Sequence, residues 1–370
     1  MPDEARFDPP YRAEHVGSLL RPNKLTRAFR EFSNGHLHAD DFIAVQDESI
    51  REVVQLQQNA GLSSITDGEF RRASYWSHFV EAVDGLGVSQ AIFDFHSHDD
   101  ASAEPFLAPC VEGPIVKSSK ISADEFKFLR NVTDQTPKTT MPSPPTMHFW
   151  ARREGVRNAY GDRTTYFADL AKVYQQEITE LGELGATYIQ IDEVPLAMLC
   201  DPHVRQLVQD IGEDPASLVD DYIELINASI SGRPQGMTVG MHLCRGNFKG
   251  KWLSEGGYDW ISERLFQEIN VNAFFLEYDT PRAGDFEPLR NLPDDKVAVL
   301  GLITTKSAGL EDPDELCRRI DQAARHVPLE RLAVSPQCGF SSAVSGNPLT
   351  QEDEIKKLEL VVSVAQRVWG

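Results

Sequence analysis

The chain of 370 residues is poor in cysteine, in positive charge and in long apolar segments. Its 5 cysteines are odd in number and scattered, which argues against a disulfide scaffold and is typical of the reducing cytoplasm. The 36 lysines and arginines are outnumbered by 57 aspartates and glutamates, and the resulting net charge of −21 repels nucleic acid and anionic membranes. No apolar run approaches the roughly 18–20 residues of a membrane span, and the acidic, polar start of the chain is unlike a secretory signal. We therefore predict a cytoplasmic protein without nucleic-acid or membrane partners. The sequence leaves the oligomeric state open, and an oligomer is compatible with it.

The sequence also lacks the glycine-rich signatures of nucleotide-binding folds, since neither GxGxxG nor GxxxxGK[ST] follows a predicted strand. It contains instead short β-branched or aromatic segments that alternate with longer amphipathic ones. The predicted strands are 13–16, 63–66, 139–141, 187–191, 237–241, 273–276, 297–303 and 331–334. The predicted helices are 40–61, 165–184, 215–230, 258–268, 312–324 and 352–368. Strands separated by helices pair in parallel, so eight of them predict an α/β fold in which the sheet closes as a (β/α)8 TIM barrel.

One stretch, residues 85–136, interrupts this alternation. It contains glycines, a His/Asp-rich tract at 96–100 and a strand-like segment near its end. We interpret it as an irregular excursion from the barrel after the second strand, within a single barrel domain that spans residues 1–370. The pair His96 and His98 imitates the HxH motif of barrel amidohydrolases. It lies in the excursion, however, and no later strand end supplies the further histidines of such sites, so we reject that alternative.

Polar side chains follow almost every predicted strand, at the ends where barrel enzymes place their chemistry. Acids, thiols and an imidazole at these positions are the strongest indication of an enzyme. Four of them could surround one divalent ion: His242, Cys244, Glu277 and Cys338. Two sulfur ligands favour zinc over magnesium or calcium, which prefer oxygen. Taken singly, the cysteines could be buried small side chains and the histidine a core residue, but the set of four favours a Zn²⁺ site.

The chemistry of such a centre follows from its charge. Three anionic ligands around Zn²⁺ leave a net charge near −1, which makes a poor Lewis acid for splitting water. The ion can still hold an incoming thiol as its thiolate, although a free thiol of pKa about 8.5 is mostly protonated at neutral pH. A thiolate attacks alkyl carbon. The predicted reaction is therefore alkylation of a thiol.

Seven segments spread over nearly the whole chain carry a family resemblance. They are EHVGS (14–18), TDGEF (66–70), SPPTMHFW (143–150), YIQIDE (188–193), MHLCRGNF (241–248), FFLEYDT (274–280) and VSPQCGF (334–340). Together they resemble the catalytic C-terminal barrel of cobalamin-independent methionine synthase. The resemblance implies methyl transfer to a small thiol, homocysteine or a similar compound, from a methyl donor such as methylated folate. It implies zinc ligation by His242, Cys244, Glu277 and Cys338, homocysteine binding by Val16, Gly17, Ser18, Glu69 and Asp192, and pterin stacking on Trp150.

The chain departs from the family pattern on the folate side. Lys306 stands where the family has a catalytic histidine, and Pro109 stands where it has an arginine. The glutamate that contacts the pterin in the family has no counterpart in residues 194–200. We therefore expect the zinc and amino-acid sites to be retained and the donor site to be altered. Lys306 and Asp192 are the candidate catalytic residues, and Lys306 could protonate a leaving group or pair with an anionic substrate.

Two functional alternatives remain open. The first is a zinc enzyme in which the thiol attacks another electrophile, such as an epoxide opened by a thiol of the coenzyme M type. The second is a catalytically silent zinc-binding barrel. Simpler structural roles also remain for single residues. Glu69, beside Arg71 and Arg72, could form a surface ion pair, and Asp192 could cap a helix. For Tyr75 and Trp76 we favour core packing.

Overall fold

The computed structural model describes residues 8–95, 104–151 and 153–370. Its strands are β1 (Ser64–Ile65), β2 (Val83–Phe95), β3 (Glu104–Lys117), β4 (Thr136–Pro137), β5 (Thr139–Pro142), β6 (Tyr188–Glu193), β7 (Thr238–Leu243), β8 (Ala273–Glu277), β9 (Val297–Ile303) and β10 (Leu332–Pro336). Its helices are α1 (Asn23–Ser33), α2 (Ala39–Asn59), α3 (Ser77–Glu81), α4 (Ala123–Arg130), α5 (Thr146–Phe149), α6 (Glu154–Tyr160), α7 (Arg163–Glu183), α8 (Pro195–Met198), α9 (Pro202–Asp210), α10 (Pro215–Ile230), α11 (Ser262–Glu268), α12 (Pro313–Ala323) and α13 (Gln351–Trp369). Short 3₁₀ turns lie at Tyr258–Trp260, Pro281–Ala283, Glu287–Asn291 and Leu329–Arg331. Among these helices, none has both the length and the apolar composition needed to cross a bilayer.

The parallel strands are arranged as a (β/α)8 barrel, as predicted. Strands β5 to β10 form one parallel sheet in chain order, and β1 pairs in parallel with β4, which leads directly into β5. At the far edge, Ala13 forms a parallel bridge to Val334 of β10, and the backbone N–H of Glu14 donates to the Val334 carbonyl at 2.9 Å. The chain before α1 therefore occupies the first strand position, beside β10.

Side chains connect this first segment to β1. The Thr66 hydroxyl donates to the Gly17 carbonyl at 2.6 Å, and the Ser64 hydroxyl donates to Glu14 Oε2 at 2.7 Å. Glu14 is fully buried and also forms an ion pair of 3.1 Å with the buried Lys138. Because a buried charge is stable only when it is paired and hydrogen-bonded, this network fixes the position of the first segment.

The predicted elements agree closely with the observed ones. Each predicted strand from 63–66 onwards overlaps an observed strand, whereas 13–16 forms only the bridge at Ala13. The predicted helix 215–230 coincides with α10, where the Asp214 carboxylate accepts from the Ser217 N–H at 2.8 Å and a proline opens the first turn. The predicted helix 258–268 is divided into a 3₁₀ turn and α11.

The excursion after the second strand is present, and β2 and β3 pair within it as an antiparallel hairpin. We did not predict this regular pairing, because glycines interrupt both strands, prolines interrupt β3, and the register shifts twice along them. The hairpin packs on the barrel through aromatic rings: Phe93 stacks on Phe149 with centroids 4.8 Å apart, and Phe106 meets Trp150 edge-on at 5.6 Å. The tract at 96–100, with His96 and His98, lies outside the described residues.

Candidate metal centre

Three of the four predicted metal ligands meet at the carboxyl ends of the barrel strands. His242 lies near the end of β7, Cys244 follows that strand, and Cys338 follows β10. The three side chains are buried, and their ligand atoms all lie within 4.8 Å of one another. The sulfurs of Cys244 and Cys338 are 3.7 Å apart. That separation is far longer than a disulfide bond of about 2.05 Å. It is close to the ~3.8 Å expected between two sulfurs bound to one tetrahedral zinc at about 2.3 Å.

The imidazole of His242 has no ordinary hydrogen-bond partner. The residue is 3% exposed, and neither ring nitrogen finds an oxygen or nitrogen partner among the described residues. Its close neighbour is the Cys338 sulfur. A buried polar group left without a partner costs about 1–3 kcal/mol, so an imidazole in this position is suited to a metal ion. The donor set of one imidazole and two thiols fits zinc.

The pKa values of the two thiols are shifted in opposite directions. The hydrogen bond between the two thiols lowers the pKa of Cys338 well below its usual value, and His242 adds to this effect against the opposing effect of burial. The same hydrogen bond and burial raise the pKa of Cys244 well above its usual value. The lowered pKa favours the thiolate form of Cys338, and the thiolate is the form that binds metal.

Glu277, the fourth predicted ligand, is buried at the end of β8 but is not part of the three-residue cluster. Its Oε2 accepts from the backbone N–H of Arg245 at 2.8 Å, and its Oε1 lies 3.3 Å from a guanidinium nitrogen of Arg282. Burial alone would raise the pKa of Glu277, but Lys306, Arg245 and Arg282 together lower it. Lys306 Nζ is itself buried and has no hydrogen-bond partner among the described residues. The structure thus places an anionic carboxylate and a buried cation beside the cluster.

A cavity of about 360 Å³ opens over the cluster. Its lining includes the three clustered ligands and five of the residues predicted to bind substrate: Val16, Ser18, Glu69, Trp150 and Asp192. Gly17, Glu277 and Lys306 are not among the lining residues. The structure therefore brings most of the predicted site into one concave space at the mouth of the barrel, as expected for a small-molecule site.

Two buried carboxyl groups, Glu69 and Asp192, lie in the wall of this cavity. Glu69 is 2% exposed; its Oε1 accepts from the Thr140 hydroxyl at 2.7 Å, and its Oε2 has no partner among the described residues. Burial raises the pKa of Asp192 to about 7, and the nearby Glu69 adds to the increase. Glu69 does pair with Arg72, at 3.6 Å between Oε1 and a guanidinium nitrogen, but both side chains are buried, so the predicted surface location is wrong. The helix-cap role considered for Asp192 is also wrong, because the carboxylate at the start of α8 belongs to Glu193, which accepts from the Leu196 N–H at 2.6 Å.

Gly17 does not line the cavity, but its backbone conformation positions the two residues beside it. Its φ of +146° lies in a region that other residues rarely adopt, and a Cβ added there would meet Thr140 Cγ2 at 2.6 Å. This conformation turns the chain so that Val16 and Ser18, on either side, both face the cavity. Glu69 also has a positive φ, of 61°, which is uncommon for a residue with a side chain and is typical of functional sites.

The sequence analysis missed the aromatic part of the lining. Tyr75 and Trp76, which we interpreted as core residues, line the cavity, and Trp76 also packs against the hydrophobic core. Phe95 and Phe106 of the hairpin and Phe248 line it as well. The one signal for them was the length of the excursion, because long insertions after barrel strands commonly cover the active-site mouth.

Comparison with known proteins gives consistent matches over almost the whole chain. Residues 13–367 match the family described as the catalytic domain of cobalamin-independent synthase. The uncharacterized protein YxjH of Bacillus subtilis is 36% identical over 362 residues, which cover 97% of this chain and 95% of that protein. The methionine synthase of Pyrococcus abyssi is 27% identical over 329 residues, covering 88% and 85% respectively. The crystal structure of a candidate vitamin-B12-independent methionine synthase from Listeria monocytogenes superposes with a TM-score of 0.75 at 30% identity, over 98% of both chains.

Proposed function

This chain belongs to the cobalamin-independent synthase family, and from that premise we propose that it is a zinc-dependent methyltransferase whose acceptor is a small thiol, homocysteine or a close relative. The observation that carries the proposal is the cluster of His242, Cys244 and Cys338, with ligand atoms within 4.8 Å of one another. A binding cavity lies directly over that cluster. The methionine synthase of Pyrococcus abyssi, similar over 88% of this chain, supports methylation of homocysteine as the reaction.

The residues of the cluster would hold the metal. When bound, zinc supplies the positive charge that keeps an acceptor thiol ionised at neutral pH. His242, Cys244 and Cys338 would be its ligands, with Glu277 as the fourth candidate from the next strand. In the reducing cytoplasm expected from the sequence, both cysteines stay available as thiols.

The carboxylates of the cavity wall would bind the other end of the acceptor. Glu69 Oε2 lacks a partner among the described residues, and Asp192 has a raised pKa in the same wall. An ammonium group placed against them would satisfy both carboxylates, so an amino-acid thiol such as homocysteine fits better than a simple alkyl thiol. Ser18 offers a hydroxyl from the opposite side of the Gly17 turn.

Aromatic side chains would keep water away from the reacting sulfur. Trp150, the predicted stacking residue, lies in the wall with Phe95 and Phe106 of the hairpin. A dry cavity protects the thiolate from hydration and aligns it with the methyl carbon. We assign Lys306, a candidate catalytic residue outside the lining, to electrostatics: its charge acts on Glu277 and on the two sulfurs.

The direct test of acceptor binding is calorimetry of the zinc-loaded protein with homocysteine at pH 7, in two buffers that differ in ionisation enthalpy. Because the thiol must lose its proton to bind as thiolate, we expect release of about one proton per homocysteine bound. Homoserine, which has a hydroxyl in place of the thiol, is the matched control and should bind at least about tenfold more weakly. Equal binding of the two compounds without proton release would contradict the proposal.

A further inference from the structure

Part of the cavity lining is strongly aromatic. Trp76, Phe95, Phe106, Trp150 and Phe248 all belong to the lining. Phe106 meets Trp150 edge-on with ring centroids 5.6 Å apart, Phe95 lies 4.8 Å from Phe106, and Phe95 lies 5.3 Å from Phe248. Four of the rings therefore form a connected group, and Trp76 lines the same cavity. Aromatic rings so arranged are suited to hold methylated cations such as quaternary ammonium groups.

The carboxyl groups in the cavity lining belong to Glu69 and Asp192, whereas the nearby cations Arg72 and Lys306 lie outside the lining. No lysine or arginine is among the described residues that line the cavity. The sulfurs of Cys244 and Cys338 also belong to the lining. Lys249 lies outside the lining, although its Nζ is 4.7 Å from the centroid of the Phe248 ring. Among the described lining residues, the charges therefore favour a cationic donor over an anionic one such as a polyglutamylated folate.

Two further observations concern the size and polarity of the occupant. The cavity volume of about 360 Å³ is near the lower end of the roughly 300–1,000 Å³ usual for small-molecule sites, yet it has to hold acceptor and donor together. Trp150 is 2% exposed, and its indole N–H has no partner among the described residues. A small donor with one acceptor group for this N–H would satisfy it.

We propose that the methyl donor of this protein is a small onium compound, a sulfonium or a quaternary ammonium, held by the aromatic residues Trp76, Phe95, Phe106, Trp150 and Phe248. This inference rests on the proposed function, since it names the donor for the same thiol acceptor. It accounts for the altered donor side of the sequence, because the family's positive and acidic contacts to folate have no role with such a donor.

The reaction with an onium donor balances without an acid. The thiolate sulfur of the acceptor forms a bond to the methyl carbon, and the bond from that carbon to the onium sulfur or nitrogen breaks. The bonding pair returns to the leaving atom, which departs as a neutral thioether or tertiary amine. The single proton released is that of the acceptor thiol. A leaving folate nitrogen, in contrast, needs protonation, and Lys306 is outside the cavity lining.

Binding is tested with a pair of isosteres on the zinc-loaded full-length protein. Choline carries a trimethylammonium group, and 3,3-dimethylbutan-1-ol is its neutral equivalent. We expect choline to bind about tenfold more tightly, and Phe106→Leu to weaken choline binding about tenfold while changing the neutral compound little. The control Phe32→Leu, at an exposed ring on α1, should change neither. Equal affinity of the two isosteres, or no binding of either, would overturn the inference.

A turnover assay distinguishes sulfonium donors from quaternary ammonium donors. It also distinguishes failure of this inference from failure of the proposed function. Methyl-deuterated S-methylmethionine, glycine betaine and 5-methyltetrahydrofolate are each supplied with homocysteine, and labelled methionine is measured by mass spectrometry. Label from either onium compound, with none from the folate, supports the inference. Label from the folate alone overturns it and leaves the thiol methyltransferase intact. If homocysteine binds without proton release, the proposed function fails, whatever the result with choline.

Discussion

Cys244 and Cys338, which are far apart in sequence, have their sulfurs 3.7 Å apart at the mouth of the barrel. One follows β7 and the other follows β10, so the curvature of the sheet across β8 and β9 brings them together. Both cysteines are free thiols and His242 lies beside them, so the three side chains are placed to bind one metal ion.

Removal of one sulfur should remove the metal. In Cys338→Ser a hydroxyl, a much poorer zinc ligand than a thiolate, replaces the sulfur, so we expect zinc affinity to fall by at least about tenfold and methyl transfer to be lost. Zinc content by mass spectrometry and methionine formation are measured on the same preparation. Cys317→Ser, at a half-buried cysteine on α12, is the control and should keep both. A zinc-free Cys338→Ser protein with full activity would contradict the metal assignment.

Replacement of Asp192 should weaken the binding of acceptors that carry an amino group. Asp192→Asn keeps the shape but loses the negative charge, and a charged hydrogen bond in a buried site is worth about 1.5–3 kcal/mol. We therefore expect the KM for homocysteine to rise about 10- to 100-fold. Activity with 4-mercaptobutanoate, which has the thiol and no amino group, should change by less than about threefold. Equal losses with both thiols would show that Asp192 does not bind the amine.

A side chain added at Gly17 should destabilise the protein. Gly17→Ala places a Cβ 2.6 Å from Thr140 Cγ2 in a strained backbone conformation, so we expect a loss of about 1–3 kcal/mol in the free energy of unfolding. Thr140→Ser removes the opposing methyl and keeps the hydroxyl that donates to Glu69. Thermal unfolding of the double variant should recover part of the loss. No difference between Gly17→Ala with and without Thr140→Ser would show that this contact is not the cause.

Stability should depend on pH through Glu354, near the start of α13. Its Oε1 accepts from the Leu20 N–H at 2.8 Å, and burial raises its pKa from 4.5 to about 8. A carboxyl whose pKa is higher in the folded state takes up a proton on folding. Its contribution to stability is therefore complete below pH 4.5 and is lost as the pH rises through about 8.

Glu354→Gln, which is neutral at every pH, should remove this dependence. At pH 8 we expect the variant to be more stable than the parent by on the order of 2–4 kcal/mol, and at pH 4 to differ little. Urea unfolding at the two pH values measures the difference. Glu359→Gln, at an exposed position of the same helix, is the control. A gain that is the same at both pH values would contradict a titration of Glu354.

The barrel could be predicted because buried parallel strands appear in a sequence as short, continuous apolar runs. The run 297–303 corresponds to β9 residue for residue. Helix α10 begins at Pro215, directly after its N-cap residue Asp214, and an Asp–Pro pair is a typical helix start. The hairpin of β2 and β3 could not be predicted in this way. Its register shifts and its glycines break the two-residue period on which strand prediction depends.

The candidate site was predictable to the level of strand ends and not to that of side-chain partners. The rule that barrel chemistry lies at the carboxyl ends of strands identified His242, Cys244 and Cys338. That rule does not reveal that Arg245 and Arg282 hold the carboxylate of Glu277, because these contacts depend on loop geometry and rotamers. The aromatic wall depends on how the hairpin folds over the mouth, which no local pattern encodes.

The central claim is that His242, Cys244 and Cys338 bind one zinc ion that also takes the acceptor sulfur. Zinc X-ray absorption of the purified protein, with and without homocysteine, tests it most directly. We predict two zinc–sulfur bonds of about 2.3 Å in the resting protein and a third when homocysteine is added. A resting site without sulfur ligands, or a spectrum that homocysteine leaves unchanged, would contradict the account.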